Sequence, residues 1–102
     1  MSSSIKDAFV EVSPGAYRLE APLTFASVTS LRPLGVALIH AAAGELTFDL
    51  HAVPAVDSAG LALLIDWLAE AKANSRSLKY LQPSPTLVAL AGLSDVEKLI
   101  AA

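Results

Sequence analysis

The sequence contains no cysteine. That excludes a disulfide framework, a thiolate metal site and a cysteine nucleophile, and it fits a reducing compartment. Charge is scarce as well: Asp, Glu, Lys and Arg make up 17% of the 102 residues against 54% hydrophobic ones, the composition of a folded domain. The 7 Lys and Arg are outnumbered by 10 Asp and Glu and form no cluster. Nucleic acid is therefore not an expected partner, because phosphate neutralisation needs grouped basic side chains. Long apolar runs are missing too. The longest uncharged stretch, Tyr80 to Ser94, is broken by Gln82, Pro83, Ser84 and Pro85, which predicts no direct membrane insertion. Met1 to Lys6 is Ser-rich and lacks the apolar core of a signal peptide, so the expected location is cytoplasmic.

What is present is a surplus of apolar residues in a short chain. The length predicts a single domain over residues 1–102, with residues 1–7 as a flexible lead. A domain of this size exposes roughly 5,500 Å² and cannot hide all of its Leu, Ala, Val and Ile. A contiguous apolar face left outside would mark an interface.

Phe9 to Val12 reads as a strand, Ser13-Pro14-Gly15 as a turn and Ala16 to Glu20 as the returning strand of a hairpin. From Phe25 or Ala26 to about Ala43 the chain turns helical, stopping at Gly44. Pro33 is placed in the first turn of that helix after a short lead-in, with a helix kinked at Pro33 as the alternative. Leu46 to Leu50 reads as a strand. A helix follows from Asp57-Ser58 to about Asn74, then a strand at Leu78 to Leu81. A short helix is expected from Pro83 to Ala91, stopped by Gly92, and a last one from Ser94 to Ala101. Strands joined through helices imply parallel crossovers beside the antiparallel hairpin. The expected class is α/β, a mixed sheet of about four strands with helices packed mainly on one side.

Steps of about 100° along the helix after Asp57 place Leu61, Leu64, Ile65, Leu68 and Ala71 on one stripe, expected to face the sheet. The opposite side carries Ala59, Leu63, Asp66, Glu70 and Ala73, flanked by Ala62 and Trp67, and is the expected surplus face. Trp67 beside Leu63 and small alanines suits a protein contact, and Asp66 and Glu70 can meet Arg or Lys across it. Trp67 can equally fold over the helix edge and pack under a neighbouring loop. Asp57 and Ser58 are both capping types and only one can cap. The other is left at an exposed helix N-terminus, where an anion such as a phosphate is favoured.

Chemistry for catalysis is thin. His40 and His51 are the only histidines, and a metal site would need Asp49 or Asp57 as well, so no metal is expected. No nucleophile elbow or Gly-rich phosphate loop occurs. Ser58, His51 and Asp49 lie too close along the chain to be assembled into a triad with conviction.

Leu46-Thr47-Phe48-Asp49-Leu50, then Val56-Asp57-Ser58-Ala59-Gly60-Leu61-Ala62-Leu63-Leu64, then Leu78, Pro83 and Leu87 to Leu93, resemble the STAS domain (sulfate transporter and anti-sigma-factor antagonist). Within that family the run Val56 to Leu64 is most similar to the small cytoplasmic STAS subunit of Mla-type phospholipid-transport ABC transporters. The resemblance implies a non-enzymatic, cofactor-free subunit, peripheral to the inner membrane, that binds the ATPase subunit and through it the membrane permease. The assembled transporter would move phospholipids between inner and outer membrane and maintain outer-membrane lipid asymmetry. The other branch implies an anti-sigma-factor antagonist whose Ser58 is phosphorylated by a kinase-type anti-sigma factor. Two departures speak against that branch: Ala59 stands where antagonists usually carry a second Ser, and Ala21-Pro22-Leu23 where they carry an acidic residue. Asp57, Ser58, Ala59, Ala62, Leu63, Asp66, Trp67 and Glu70 are thus the candidate partner-binding residues. With Leu63 and Trp67 exposed, Leu63→Asp or Trp67→Ala should abolish ATPase binding in a pull-down and leave the fold intact.

Overall fold

A computed structural model describes residues 7–93 of the chain. Strands β1 (Phe9–Ser13) and β2 (Ala16–Leu19) pair antiparallel, with a register shift between Glu11 and Ser13. Gly15 turns between them at φ +80°, where a Cβ would stand 2.7 Å from the Glu45 carbonyl oxygen. Helix α1 (Val28–Ala41) leads to β3 (Leu46–Asp49), helix α2 (Ser58–Ala73) to β4 (Leu78–Leu81), and helix α3 (Pro85–Leu93) follows. The sheet order is β1-β2-β3-β4, with β2, β3 and β4 parallel. This is the mixed four-stranded α/β architecture that the sequence predicts.

Alternation along the strands decides which face is core. Leu46 and Phe48 of β3, and Leu78 and Tyr80 of β4, are buried, while Lys79 and Leu81 are exposed and Thr47 and Asp49 half-buried between them. Phe48 is the hub of the buried face. Its ring centroid lies 4.8 Å from Phe9, 5.6 Å from Trp67, 6.2 Å from Tyr80 and 6.4 Å from Tyr17. Trp67 comes from α2, so α2 is the helix seated on this face. Tyr80 reinforces the seat by donating its hydroxyl to the Leu64 carbonyl at 2.6 Å. Burial, and the nearby Asp66 charge after it, push the Tyr80 hydroxyl well above its ordinary range, so it stays a protonated donor.

Several expectations need correcting. Pro33 lies in the second turn of α1, not the first, because α1 starts at Val28 after a turn closed by Ser27 N–H to the Thr24 carbonyl at 2.9 Å. The amide that proline lacks would have met the Thr29 carbonyl, and both residues are exposed, so water can serve that oxygen. Helix α1 ends at Ala41, ahead of Gly44, and Gly92 lies inside α3 instead of stopping it. Ser84 caps α3, accepting the Leu87 amide at 3.1 Å, with Pro85 as the first helical residue. The helix expected over Ser94 to Ala101 falls outside the described residues.

The largest correction concerns the second face of α2. Leu63 is 5% exposed and Trp67 not at all. Helix α1 covers them: a Cβ at Gly35 would overlap the Trp67 indole, and the indole Nε1–H donates to the Arg32 carbonyl at 3.1 Å. A helix with Leu61, Leu63, Leu64, Trp67 and Ala71 all buried has its apolar residues spread beyond one stripe, the signature of a helix covered on more than one side. The sheet takes one side and α1 another.

Gly35→Ala is therefore expected to destabilise the fold by about 1–3 kcal/mol through overpacking, and Trp67→Ala by about 3–5 kcal/mol through the cavity left behind. Urea unfolding followed by circular dichroism measures both. A Trp67→Ala variant as stable as the parent would refute the packing described here.

Candidate functional site

The start of α2 is where charged, capping and apolar features converge. Asp57 has extended backbone angles, φ −131° and ψ −171°, as an N-cap residue requires. Its Oδ1 accepts the amides of Ala59 at 2.9 Å and Gly60 at 3.1 Å, and its Oδ2 accepts the amide of Phe25 at 3.0 Å. The Phe25 amide is the main cause holding this carboxyl below its ordinary value of 3.8, followed by that of Gly60, with partial desolvation opposing. Of the two capping candidates it is thus Asp57 that caps. Ser58 becomes the first helical residue, with its side chain exposed.

A second segment is fastened to this corner. Leu23 N–H donates to the Ala55 carbonyl at 2.8 Å and Asp57 N–H to the Leu23 carbonyl at 3.0 Å, closing a parallel bridge between Leu23 and Val56. The fit needs Gly60, because a Cβ there would overlap the Leu23 carbonyl oxygen. Ser27 Oγ then ties the loop to itself, donating to the Pro22 carbonyl at 2.6 Å and accepting the Thr24 amide at 3.0 Å. Phe25 lies between these fastenings with 81% of its surface exposed, the most exposed large apolar residue among those described.

Beside the corner runs a groove of about 480 Å³ between α1 and α2. Val28, Thr29, Arg32 and Pro33 line it from α1, and Ala59, Ala62, Leu63 and Asp66 from α2. Arg32 Nε donates to Asp66 Oδ2 at 2.6 Å, bridging the two walls. Such an exposed pair contributes only about 0.2–1 kcal/mol. Its larger effect is to leave the groove without net charge.

The structure thus gathers Asp57, Ser58, Ala59, Ala62, Leu63 and Asp66 of the eight candidate residues around one corner. Trp67 lies buried beneath α1 and presents no surface. Glu70 is further along the helix, paired with His40 Nε2 at 2.7 Å, and that hydrogen bond lowers its carboxyl below the ordinary 4.5. Asp66 and Glu70 therefore meet Arg32 and His40 of their own chain, where basic residues of a partner were expected. Phe25 escaped the sequence reading, which took it as a possible helix start. The signal for it is an aromatic residue inside residues 21–31, a run without a single charged side chain.

Among the described residues the side chains of Asp49, His51 and Ser58 share no hydrogen bond. Asp49 Oδ1 accepts the His51 backbone amide at 2.9 Å, which is a turn contact and orients no imidazole. Among the described residues no group of three His, Cys, Asp or Glu side chains could hold a metal, and no helix is long and apolar enough to cross a membrane. What the corner offers chemically is an apolar surface and one accessible hydroxyl.

Solved structures share this architecture. A Thermotoga maritima protein provisionally assigned as an anti-sigma factor antagonist superposes with a TM-score of 0.75, at 11% identity over 93% of this chain and 85% of that one. The anti-sigma factor antagonist SpoIIAA in its unphosphorylated form gives 0.69, at 21% identity over 90% of this chain and 83% of that one. The phosphorylated form of the same Bacillus cell-fate determinant gives 0.66, at 21% identity over 90% and 86%. No curated protein sequence matches the chain. The fold class is that of a STAS domain. Within it, the chain belongs to the MlaB-type STAS domain family, whose model matches residues 11–101.

Asp57→Ala should cost about 0.5–2 kcal/mol, the usual price of losing a cap. The folded-state carboxyl titrates below 3.8, so its contribution is complete above that value and is lost as the pH falls through the lowered one. Urea midpoints taken between about pH 6 and pH 2 should show the wild type converging on Asp57→Ala only at the acid end. A gap that persisted at the acid end would contradict the carboxylate as its source.

Proposed function

We propose that this chain is the non-enzymatic STAS subunit of an Mla-type phospholipid-transport ABC transporter, cytoplasmic and held at the inner membrane through its complex. It docks on the ATPase subunit with the corner at the start of α2, and through that subunit joins the membrane permease. The observation that carries this reading is the match of the MlaB-type family model to residues 11–101, a span that includes the corner. The corner's chemistry agrees with it. Ser58 and Ala62 are exposed, Ala59 is half-buried, and the formal charges beside them among the described residues, Asp57, Arg32 and Asp66, are hydrogen-bonded within the chain. A small, apolar, charge-neutral ledge allows another protein's backbone to approach closely and suits recognition without catalysis.

One observation favours a second reading, an anti-sigma-factor antagonist switched at Ser58. With Asp57 occupied as the cap, the Ser58 hydroxyl is exposed at the first helical position, and the structural neighbour SpoIIAA exists in phosphorylated and unphosphorylated forms. A phosphate there would face the positive end of α2 without unfolding it.

The two readings separate in one binding experiment with the purified chain, the ATPase subunit of an Mla-type transporter from the same genome and that genome's kinase-type anti-sigma factors. Ala62→Trp fills the groove from a surface position, where stability should change by less than about 0.5 kcal/mol. In the transporter reading it weakens ATPase binding at least about tenfold by calorimetry. In the antagonist reading Ser58→Asp releases a kinase that the parent chain binds. Leu63→Asp and Trp67→Ala are unsuitable probes because both residues belong to the core. A parent chain that bound neither partner would exclude both readings.

A further inference from the structure

We infer that Phe25 is a preorganised anchor for the partner protein, and that Asp57 acts as its positioning residue by holding the Phe25 amide; this rests on the corner being the partner-binding site. Burial of a Phe side chain is among the larger favourable contributions available to a domain this small, yet Phe25 is 81% exposed. Its exposure does not come from a slack loop. The backbone is fixed before it by the Leu23 bridge to Ala55 and Asp57, at it by Asp57 Oδ2, and after it by Ser27 Oγ. Five hydrogen bonds therefore hold in place a segment that buries Leu23 and turns its one aromatic side chain away from its own core. A rigid aromatic presented this way loses little conformational freedom on binding, which is what distinguishes an anchor from a passive contact.

The surroundings state what kind of partner fits. Residues 21–31 and 58–65 contain no Asp, Glu, Lys or Arg, and residues 50–56 contain none either. The Asp57 charge is met by three amides and the charges of Arg32 and Asp66 by each other. Among the described residues the corner therefore presents no unpartnered charge for an acidic or basic surface to complement. The matching partner surface is uncharged, with an apolar recess that takes an aromatic ring, next to a contour that enters the α1–α2 groove. Association should accordingly depend little on salt, unlike contacts steered by charge.

The double role of the Asp57 carboxylate makes the inference testable without losing the fold. In Asp57→Asn one oxygen remains to cap Ala59 and Gly60, and Asn caps helices as well as Asp does. The amide nitrogen that replaces Oδ2 cannot accept from Phe25 N–H. Binding of the Mla-type ATPase subunit is measured by calorimetry for the parent, Phe25→Ala, Asp57→Asn and the double variant, with thermal unfolding of each and ¹⁵N relaxation of the Phe25 amide in the free chain. Expected are a loss of about thirtyfold or more for Phe25→Ala, a smaller loss for Asp57→Asn with raised mobility at Phe25, and a double variant no weaker than Phe25→Ala. Parent affinity should change less than about threefold between 0.05 and 0.5 M salt. Unchanged binding by Phe25→Ala would overturn the anchor and leave the docking reading standing. Additive losses in the double variant would overturn the positioning role of Asp57. A parent chain that does not bind the ATPase would overturn the docking reading, and the anchor with it.

Discussion

Everything that distinguishes the surface of this domain from its interior follows from the seating of Trp67 against Gly35. The indole fills the space where α1 crosses α2, touches Phe9 and Phe48 of the sheet below, and gives its N–H to the Arg32 carbonyl above. Helix α1 can come this close only because residue 35 has no side chain. Once α1 is down, Leu63 is covered, Arg32 is in reach of Asp66, and His40 is in reach of Glu70. The exposed part of α2 nearest the Asp57 corner is then its first turn and the edge carrying Ala62. The position of the candidate site is thus a consequence of helix packing before it is a matter of function.

Much of this architecture was legible in the residues. The hairpin around Gly15, the strands at Leu46 and Leu78 and the helix after Asp57 carry strong local signals, namely turn chemistry, alternation and a cap, and they stand where those signals place them. Asp57 and Ser58 could be narrowed to one cap and one exposed hydroxyl, although not assigned. The failures have a common origin. Period and composition report that a residue is apolar, but not which neighbour will bury it, so the second apolar face of α2 read as surplus when it was the seat of α1. Pro33 misled for a similar reason: an exposed proline in the second turn costs one hydrogen bond at a carbonyl that water can reach, and the helix tolerates it. Phe25 was passed over because its significance depends on residues more than thirty positions away.

The recognition role proposed for this domain draws on both its family and its corner. The chain belongs to the MlaB-type STAS family and shares its fold with anti-sigma factor antagonists, and its own exposed corner at the start of α2 is small and firmly built. Neutrality here is arranged, not accidental: one carboxylate is spent on three amides and one ion pair closes on itself. The result is a surface that, under the proposed docking, would select by shape.

The bridge between Leu23 and Asp57 also bears on how the domain is assembled. Phe25 and Asp57 are 32 residues apart in the chain, and between them lie the whole of α1 and β3. The corner therefore joins residues distant in sequence, and its closure carries a loop entropy close to that of the Arg32–Asp66 and Arg32–Trp67 contacts, 34 and 35 residues apart. A surface built from such long-range contacts exists only where the segments around Leu23 and Asp57 have come together. A chain in which α2 had formed without the Leu23 bridge would have the cap at Asp57 but not the fastened Phe25 beside it.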